Sequence, residues 1–216
     1  MKVIDMFSRK LNHMELNLIK NMVSFIKQKH AQTEGHDYSH VLEVTRYAVK
    51  IAQSIPEDAD PFVLIVGALF HDIGRVIPGA DTMHGLVGAT IAEEYFECIG
   101  MDRETIVTIT NVITAHSPTS MIPPKTIEEK IVYDADAIDR LGWIGVMRGI
   151  MGKKGSIEAI LERTLKKRSE DFYKMHFDAS RELGKDLHIQ SAIVIKGLRK
   201  ALDERIHEVD HLNLPI

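Results

Sequence analysis

The chain has 216 residues, 44% of them hydrophobic, and a formal net charge of −4. This length and apolar content suffice for one domain with a substantial core, and the acidic balance argues against a dedicated nucleic-acid-binding protein, which usually carries a basic face. The single cysteine, Cys98, excludes an internal disulfide and a thiolate metal cage, so we expect a core thiol in a reducing compartment.

No segment of the sequence has both the length and the apolar character of a membrane span. Residues 1–10 mix charged and polar side chains with apolar ones and lack the unbroken apolar stretch of a secretory signal. The longest apolar run, from Phe62 to Phe70, is about half of the ~20 residues that cross a bilayer. We therefore expect a soluble, cytoplasmic protein with no membrane partner.

Apolar residues recur at helical intervals along nearly the whole chain, and glycine or proline residues separate the periodic segments. The helices are predicted near residues 12–30, 38–55, 61–73, 84–99, 102–116, 126–139, 141–151, 156–173 and 176–208. No segment shows the alternation of a strand with hairpin punctuation. The sequence thus predicts an all-α, compact multi-helix bundle, in which one domain spans 1–216 and residues 153–216 form a C-terminal helical cap.

Several predicted helix ends carry residues that suit them. Asp60 precedes a proline at the first helical position, and Asp102 precedes the next-but-one helix. Residues 126–129 have the form of a reciprocal capping box. Gly74 follows the most apolar helix and is expected to end it in the left-handed conformation.

Histidine and aspartate residues occur in an order and spacing that chance seldom assembles in a helical domain. The set is His40, His71, Asp72, His84, His116 and Asp136. Their nitrogen and oxygen atoms are donors that divalent Mn, Mg, Fe, Co or Zn accept. If they converge in space, the protein holds one or two such ions and is a metalloenzyme.

The predicted helices direct these side chains inward. The three isolated histidines of the set each lie on a stripe of apolar residues at helical spacing. His71 and Asp72 close the most apolar helix, where neighbouring side chains about 100° apart can flank a single ion. Asp136 has apolar neighbours on its face, and a metal would remove the cost of burying its charge. A lone core histidine is more often a hydrogen-bonded core residue than a ligand, so only the combination predicts a metal site.

Other polar groups receive a simpler interpretation. Asp134 and Asp139, taken singly, fit solvated charges or helix caps. The basic cluster 166–168 fits a solvated helix face, and histidines outside the set, such as His30, fit the surface or the tails. Asp37 is interpreted as an N-cap or as a partner that orients a ligand.

The motifs together resemble the HD-domain superfamily of metal-dependent phosphohydrolases, most of all its small stand-alone bacterial and archaeal members. The matching stretches are 35–40, 62–74, 84–89, 114–117 and 134–142, so the resemblance covers about residues 36–148. It implies that His40, His71, Asp72 and Asp136 are the primary metal ligands, with Asp136 chosen over Asp134. His84 and His116 match residues that hold a second metal in some members and contact the substrate phosphate in others.

The resemblance implies hydrolysis of a phosphate ester or anhydride, in which a metal lowers the pKa of the attacking water. Asp72 is the expected catalytic residue, because its carboxylate can bridge two ions and orient the nucleophile. Many relatives carry Lys or Arg where this chain has Ala137, so that phosphate contact is either missing here or supplied by Arg140 or Arg148. Arg75 is the first candidate for a phosphate clamp; the alternative is a surface arginine.

The expected substrate is a nucleotide or another small phosphorylated metabolite. The cyclic-di-GMP class is disfavoured, since the Gly-Tyr-Pro signature is missing after His71-Asp72. Two alternatives remain open: a di-iron oxygenase on the same scaffold, and a non-catalytic regulatory module with a structural metal. A homodimer is also possible, with an apolar contact from Trp143 and residues 147–151.

Overall fold

The computed structural model describes residues 9–32, 37–117, 120, 122–151 and 153–212, and every regular element within these residues is helical. The α-helices are α1 (His13–Lys29), α2 (Tyr38–Ala52), α3 (Pro61–Phe70), α4 (His84–Cys98), α5 (Arg103–Ala115), α6 (Ile127–Asp139), α7 (Gly142–Ile150), α8 (Ile157–Ile160), α9 (Lys166–Glu170) and α10 (Asp178–Asp210). A π-helical turn, Leu161–Leu165, joins α8 to α9. The predicted all-α bundle with a C-terminal helical extension is confirmed.

Helix α3 forms the centre of the bundle. It packs against α1, α2, α5 and α6, and all of its residues except Ile65 are buried. Gly67 permits the close approach of α5, because a Cβ there would lie 2.6 Å from Val112 Cγ1. A continuous apolar run is what a helix surrounded by other helices requires. The carboxyl end of α3 therefore delivers the next two residues, His71 and Asp72, to the interior.

The predicted N-caps are present. The Asp60 carboxylate accepts from the backbone N–H groups of Phe62 (2.9 Å) and Val63 (3.0 Å) at the start of α3, and Asp102 caps α5 in the same way. Asp37 caps α2 by accepting from the backbone N–H of His40 at 3.0 Å. These bonds satisfy amide groups that have no partner inside the helix.

The capping box predicted for residues 126–129 forms in one direction only. The Thr126 hydroxyl accepts from the Glu129 N–H at 3.3 Å, as expected. The Glu129 carboxylate accepts from the N–H of Lys125 at 2.5 Å, one residue before the N-cap. The box is therefore shifted by one residue on its return bond.

The prediction for Gly74 is wrong in its physical reason. Gly74 does not adopt a positive φ; it lies in a 3₁₀ turn, Ile73–Val76, that follows α3. A Cβ at this position would lie 2.0 Å from the carbonyl oxygen of His84 and 2.7 Å from the nitrogen of Gly88. Glycine is required because the turn after α3 touches the backbone of α4, and this contact sets His84 beside Asp72.

The C-terminal segment is tied to the bundle by a buried carboxylate. Asp134, on α6, is fully buried and accepts from the backbone N–H groups of His176 (2.9 Å) and Phe177 (3.1 Å) and from Nδ1 of His176 (2.9 Å). The interpretation of Asp134 as a solvated charge or helix cap is therefore wrong. Leu183 and Leu187 of α10 then pack on the main core.

The burial of two side chains is the reverse of what the sequence predicted. Cys98, predicted as a core thiol, is exposed at the last residue of α4. His30, assigned to the surface, is buried just after α1.

Trp143 and Met147 of α7 are 60% and 59% exposed, so the predicted homodimer contact stays a prediction. Within the described residues, no helix combines the length and the apolar character needed to span a membrane.

Candidate metal centre

Five helices bring the six predicted donors together at the end of α3. All six are buried, with at most 6% exposure. In the first group, His40 Nε2 lies 3.3 Å from Asp72 Oδ2, 3.5 Å from Asp136 Oδ1 and 3.2 Å from His71 Nε2. These residues come from α2, from α6 and from the two positions after α3. The sequence prediction that they converge is correct.

A second group lies on the other side of Asp72. Its Oδ1 atom is 3.3 Å from His84 Nε2 and 3.4 Å from His116 Nε2, and these two nitrogens are 3.1 Å apart. The Oδ2 atom of the same carboxylate faces the first group. Groups His40–His71–Asp72 and Asp72–His84–His116 each have donor atoms close enough to share an ion. One carboxylate therefore lies between two potential metal positions.

The hydrogen bonds of the imidazoles test whether the donors suit a cation. Nδ1 of His71 donates to the carbonyl of Ala68 at 2.7 Å, and Nδ1 of His116 donates to the carbonyl of Ile113 at 2.6 Å. Because a carbonyl oxygen only accepts, Nδ1 carries the proton, and the Nε2 atoms are the nitrogens that can offer a lone pair. Both lone pairs point towards the Asp72 carboxylate, which also only accepts when ionised. A cation among these atoms would relieve the repulsion, so the donor set fits a divalent metal.

Burial and neighbouring charges distinguish the two histidines of the first group. Burial lowers the pKa of His71 to about 3, which keeps this imidazole neutral and available as a donor. Burial also opposes a charge on His40, but the hydrogen bonds with Asp139 and Asp72 outweigh it and raise the pKa of His40 to about 9. In the metal-free protein, the His40 proton therefore places a positive charge beside the carboxylates.

The pKa of the Asp136 carboxyl is lowered although burial alone would raise it, because Arg140 and then His40 favour its ionised form. Arg140 Nη1 lies 3.8 Å from Asp136 Oδ2. An ionised carboxylate is the form that ligates a metal. The surroundings of Asp136 thus favour the state that the metal hypothesis requires.

A carboxylate that the sequence interpretation undervalued orients His40. Asp139, one turn after Asp136 on the same face of α6, accepts from His40 Nδ1 at 2.7 Å. Arg148 donates to the same Asp139 oxygen, and its Nη2 donates to Ser39 Oγ at 3.1 Å. Arg148 is therefore engaged behind the ligands, and the structure does not support its predicted contact with substrate. The interpretation of Asp139 as a solvated charge or helix cap is therefore wrong, and its spacing of three residues from Asp136 is the sequence signal that could have identified it.

Arg75 and Arg140, the other two predicted substrate contacts, line a cavity that opens onto the donors. The cavity has a volume of about 350 Å³, and Asp72, His84 and Asp136 also line it. Arg75 Nε lies 3.4 Å from Asp72 Oδ1, and its Nη2 lies 3.3 Å from His84 Nε2. Its guanidinium is therefore in contact with the site, and its predicted role as a phosphate clamp stays a prediction.

Residues 37–141, which contain all six donors, match the family model of the HD domain. This region is an HD domain. The uncharacterized protein YpgQ of Bacillus subtilis (strain 168) is 31% identical over 132 residues, which cover 57% of this chain and 61% of that relative. The alignment thus spans less than two thirds of the relative.

Solved structures share the fold of this chain. The crystal structure of Bacillus subtilis YpgQ in complex with ADP superposes with a TM-score of 0.64 at 24% identity, covering 85% of this chain and 97% of that chain. An HD-superfamily hydrolase from Bacillus thuringiensis superposes with a TM-score of 0.64 at 21% identity, covering 88% of this chain and 98% of that chain. These superpositions extend beyond the HD domain into the C-terminal helices.

Residues outside the HD domain complete the cavity. The additional lining side chains from the C-terminal part are Lys153, Arg163, Thr164, Lys167, Arg168 and Asp171. Of the basic cluster interpreted as a solvated face, Lys166 and Lys167 are exposed, but Arg168 is partly buried and faces the cavity. The HD motifs gave no signal for this wall, because it belongs to a segment without a motif of its own.

Proposed function

We propose that the protein is a metal-dependent phosphohydrolase that acts on a nucleotide or another small phosphorylated metabolite. The observation that carries the proposal is the position of Asp72, whose two oxygens face two separate histidine groups at 3.3–3.7 Å. Paired ligand groups around one carboxylate are the arrangement of two-metal hydrolytic sites. HD-superfamily hydrolase structures of the same fold support the assignment.

The protein's own residues hold the reacting groups in this proposal. His40, His71 and Asp136 with Asp72 form the first ion site, and Asp72 with the remaining two histidines forms the second. When bound, divalent ions lower the pKa of water towards neutrality and polarise a phosphoryl oxygen. Asp72 orients the water, since an ionised carboxylate accepts a hydrogen bond from the water O–H.

Arg75 and Arg140 bind the phosphate oxygens in this proposal. Both guanidinium groups line the cavity beside the carboxylates of the site. A guanidinium offers a planar fork of donors that matches two phosphate oxygens at once. Arg140 is additionally held by Asp171, whose Oδ2 lies 3.0 Å from its Nη2, so its position is fixed before substrate arrives.

The nucleotide class is supported by a relative. The YpgQ protein was crystallised with ADP, and it is 31% identical to this chain over the aligned region. The cavity here has the size of small-molecule sites, which are about 300–1,000 Å³, and it is lined by several cationic side chains. Both features suit a phosphorylated small molecule.

The decisive experiment combines metal content with a hydrolysis panel. Protein purified without chelators is analysed for metal ions per chain and then assayed for phosphate or pyrophosphate release from nucleotides with Mn²⁺, Co²⁺ or Mg²⁺. Bound divalent ions with metal-dependent release support the proposal. Asp203→Asn, on the exposed surface of α10, serves as the control for Asp72→Asn.

Two other outcomes would replace the proposal. Two irons per chain with O₂ uptake and no phosphate release would identify an oxygenase. Loss of the folded state in Asp72→Ala, in a wild-type protein that hydrolyses nothing in the panel, would identify a structural metal in a non-catalytic module.

A further inference from the structure

The helical segment 157–170 presents a cationic wall to the cavity. Leu161 and Leu165 are buried against Val146 of α7, and this contact fixes the orientation of the segment. Arg163 with Lys167, and Thr164 with Arg168, are pairs spaced by four residues, so they form two adjacent rows that face the cavity. The π-helical turn lies at this point of the segment, and such turns occur frequently at functional sites.

Arg168 is held in place by backbone rather than by an acidic side chain. Its Nη1 donates to the carbonyl of Gly145 at 3.2 Å. Gly149 leaves room for its stem, because a Cβ there would lie 2.9 Å from Leu165 Cδ2 and 3.3 Å from Arg168 Cδ. Burial, followed by the nearby charge of Arg140, lowers the pKa of Arg168 to about 10. No carboxylate of the described residues lies within ion-pair distance of Arg168, and the longer-range attraction of Asp136 and Asp171 does not offset its burial. The entry of an anion beside this cation is therefore favoured.

The cations of the wall are not neutralised by the protein. Within the described part of the chain, Arg163, Lys167 and Arg168 form no ion pair, whereas the neighbouring Lys166 approaches Glu162 at 4.0 Å. The acidic group that lines the cavity on this side, Asp171, is already paired with Arg140 and Lys174. The wall therefore keeps a surplus of positive charge beyond the arginines at the metal centre.

Resting on the proposed phosphohydrolase function, we infer that Arg163, Lys167 and Arg168 bind the phosphate groups of the substrate that do not sit at the metal centre. Arg75 and Arg140 are placed to hold the phosphoryl group beside the ligands, and the wall extends the same cavity with additional cations. A monophosphate has no group to reach the wall. The segment beyond the HD domain is thus a specificity element that selects substrates with a chain of two or three phosphates.

The test compares substrates of different phosphate number in matched variants. Wild type, Arg168→Gln, Lys167→Gln and the control Lys166→Gln are assayed with the mono-, di- and triphosphate of one nucleoside. Each wall substitution is expected to lower kcat/KM for the triphosphate by roughly tenfold to a hundredfold, the range for a lost hydrogen bond to a charged group. Activity on the monophosphate, where measurable, stays within about twofold, and Lys166→Gln leaves every substrate unchanged. Arg168→Lys, which keeps the charge and loses the fork, is expected to lie between Arg168→Gln and wild type.

A binding measurement separates this inference from the proposed function. Calorimetry in EDTA measures the binding of inorganic tripolyphosphate and of orthophosphate, and so tests the cationic wall even if no substrate is hydrolysed. Tighter binding of tripolyphosphate that weakens about tenfold or more in Lys167→Gln, an exposed position, supports the wall. Equal binding in wild type and both wall variants, or equal losses in Lys166→Gln, would overturn it. Failure of the hydrolysis panel alone would refute only the proposed function.

Discussion

Asp139→Asn tests whether the carboxylate behind His40 tunes the metal centre. In the structure, one oxygen of Asp139 accepts from both His40 Nδ1 and Arg148. Asparagine keeps the shape of the side chain, and its carbonyl oxygen can still accept from both donors, but the negative charge that strengthens both bonds is lost. In the wild type, the bond from Asp139 fixes the tautomer of His40 and raises the basicity of this imidazole as a ligand. The substitution weakens that bond and therefore lowers the basicity of His40.

The expected size follows from this contact. Loss of a carboxylate that hydrogen-bonds a ligating histidine reduces metal affinity by about tenfold to a hundredfold, which equals about 1.4–2.7 kcal/mol. The contact is short, at 2.7 Å, and Asp139 is only 10% exposed, so we expect the upper half of this range. Competition with a chromophoric chelator measures the affinity for Mn²⁺ directly.

Asp37→Asn provides the matched control. Asp37 also lies near Arg148, at 3.7 Å, and accepts from Ser39 Oγ at 2.7 Å, but its hydrogen bond with His40 is to the backbone N–H and leaves the imidazole untouched. Asparagine is an equally good N-cap. Metal affinity is expected to stay unchanged in this variant. Wild-type affinity in Asp139→Asn, or an equal loss in both variants, would refute the role assigned to Asp139.

Three further substitutions test other parts of the structure. Asp72→Asn is expected to lower metal content and to reduce phosphate release by roughly a thousandfold, or about 4 kcal/mol of transition-state stabilisation. Its helical circular dichroism spectrum is expected to stay unchanged, and full activity would contradict the position of Asp72 between the two histidine groups. Gly74→Ala is expected to lower the free energy of unfolding by about 3 kcal/mol in urea titrations, because the new Cβ meets the His84 carbonyl oxygen at 2.0 Å; wild-type stability would disprove this close contact. Asp134→Asn is expected to lower the free energy of unfolding by about 2 kcal/mol through weaker bonds to residues 176–177, while metal content stays unchanged. Lost metal would mean that Asp134, and not Asp136, is the ligand.

The helices and the meeting of the six donors were predictable because local signals determine them. Apolar spacing placed three histidines on inward faces, and the apolar run of α3 identified the helix that ends at the centre. The caps at Asp60 and Asp102 depend on residues a few positions away. Such features require no knowledge of which helices pack together.

The partners of charged side chains were not predictable, because they depend on contacts between distant segments. Arg148 was named, as an alternative to Arg140, as a replacement for the basic residue that relatives carry at the position of Ala137, yet Asp139 and Ser39 engage it. Arg168 lies in a basic cluster typical of a solvated face, and only the packing of the 157–170 segment on α7 turns it towards the cavity.

The same limit applies to small residues. Gly74 has the position of a helix-ending glycine, and the backbone of α4, which requires it, is not apparent from the local sequence. Cysteine is a residue type that is usually buried, but Cys98 is the last residue of α4 and lies at the surface.

The most direct test of the metal centre is anomalous diffraction from crystals grown with Mn²⁺. We expect an anomalous peak among His40, His71, Asp72 and Asp136, with a second peak, when two ions bind, among Asp72, His84 and His116. Anomalous density only at other positions, with the six donors in contact with solvent alone, would contradict it.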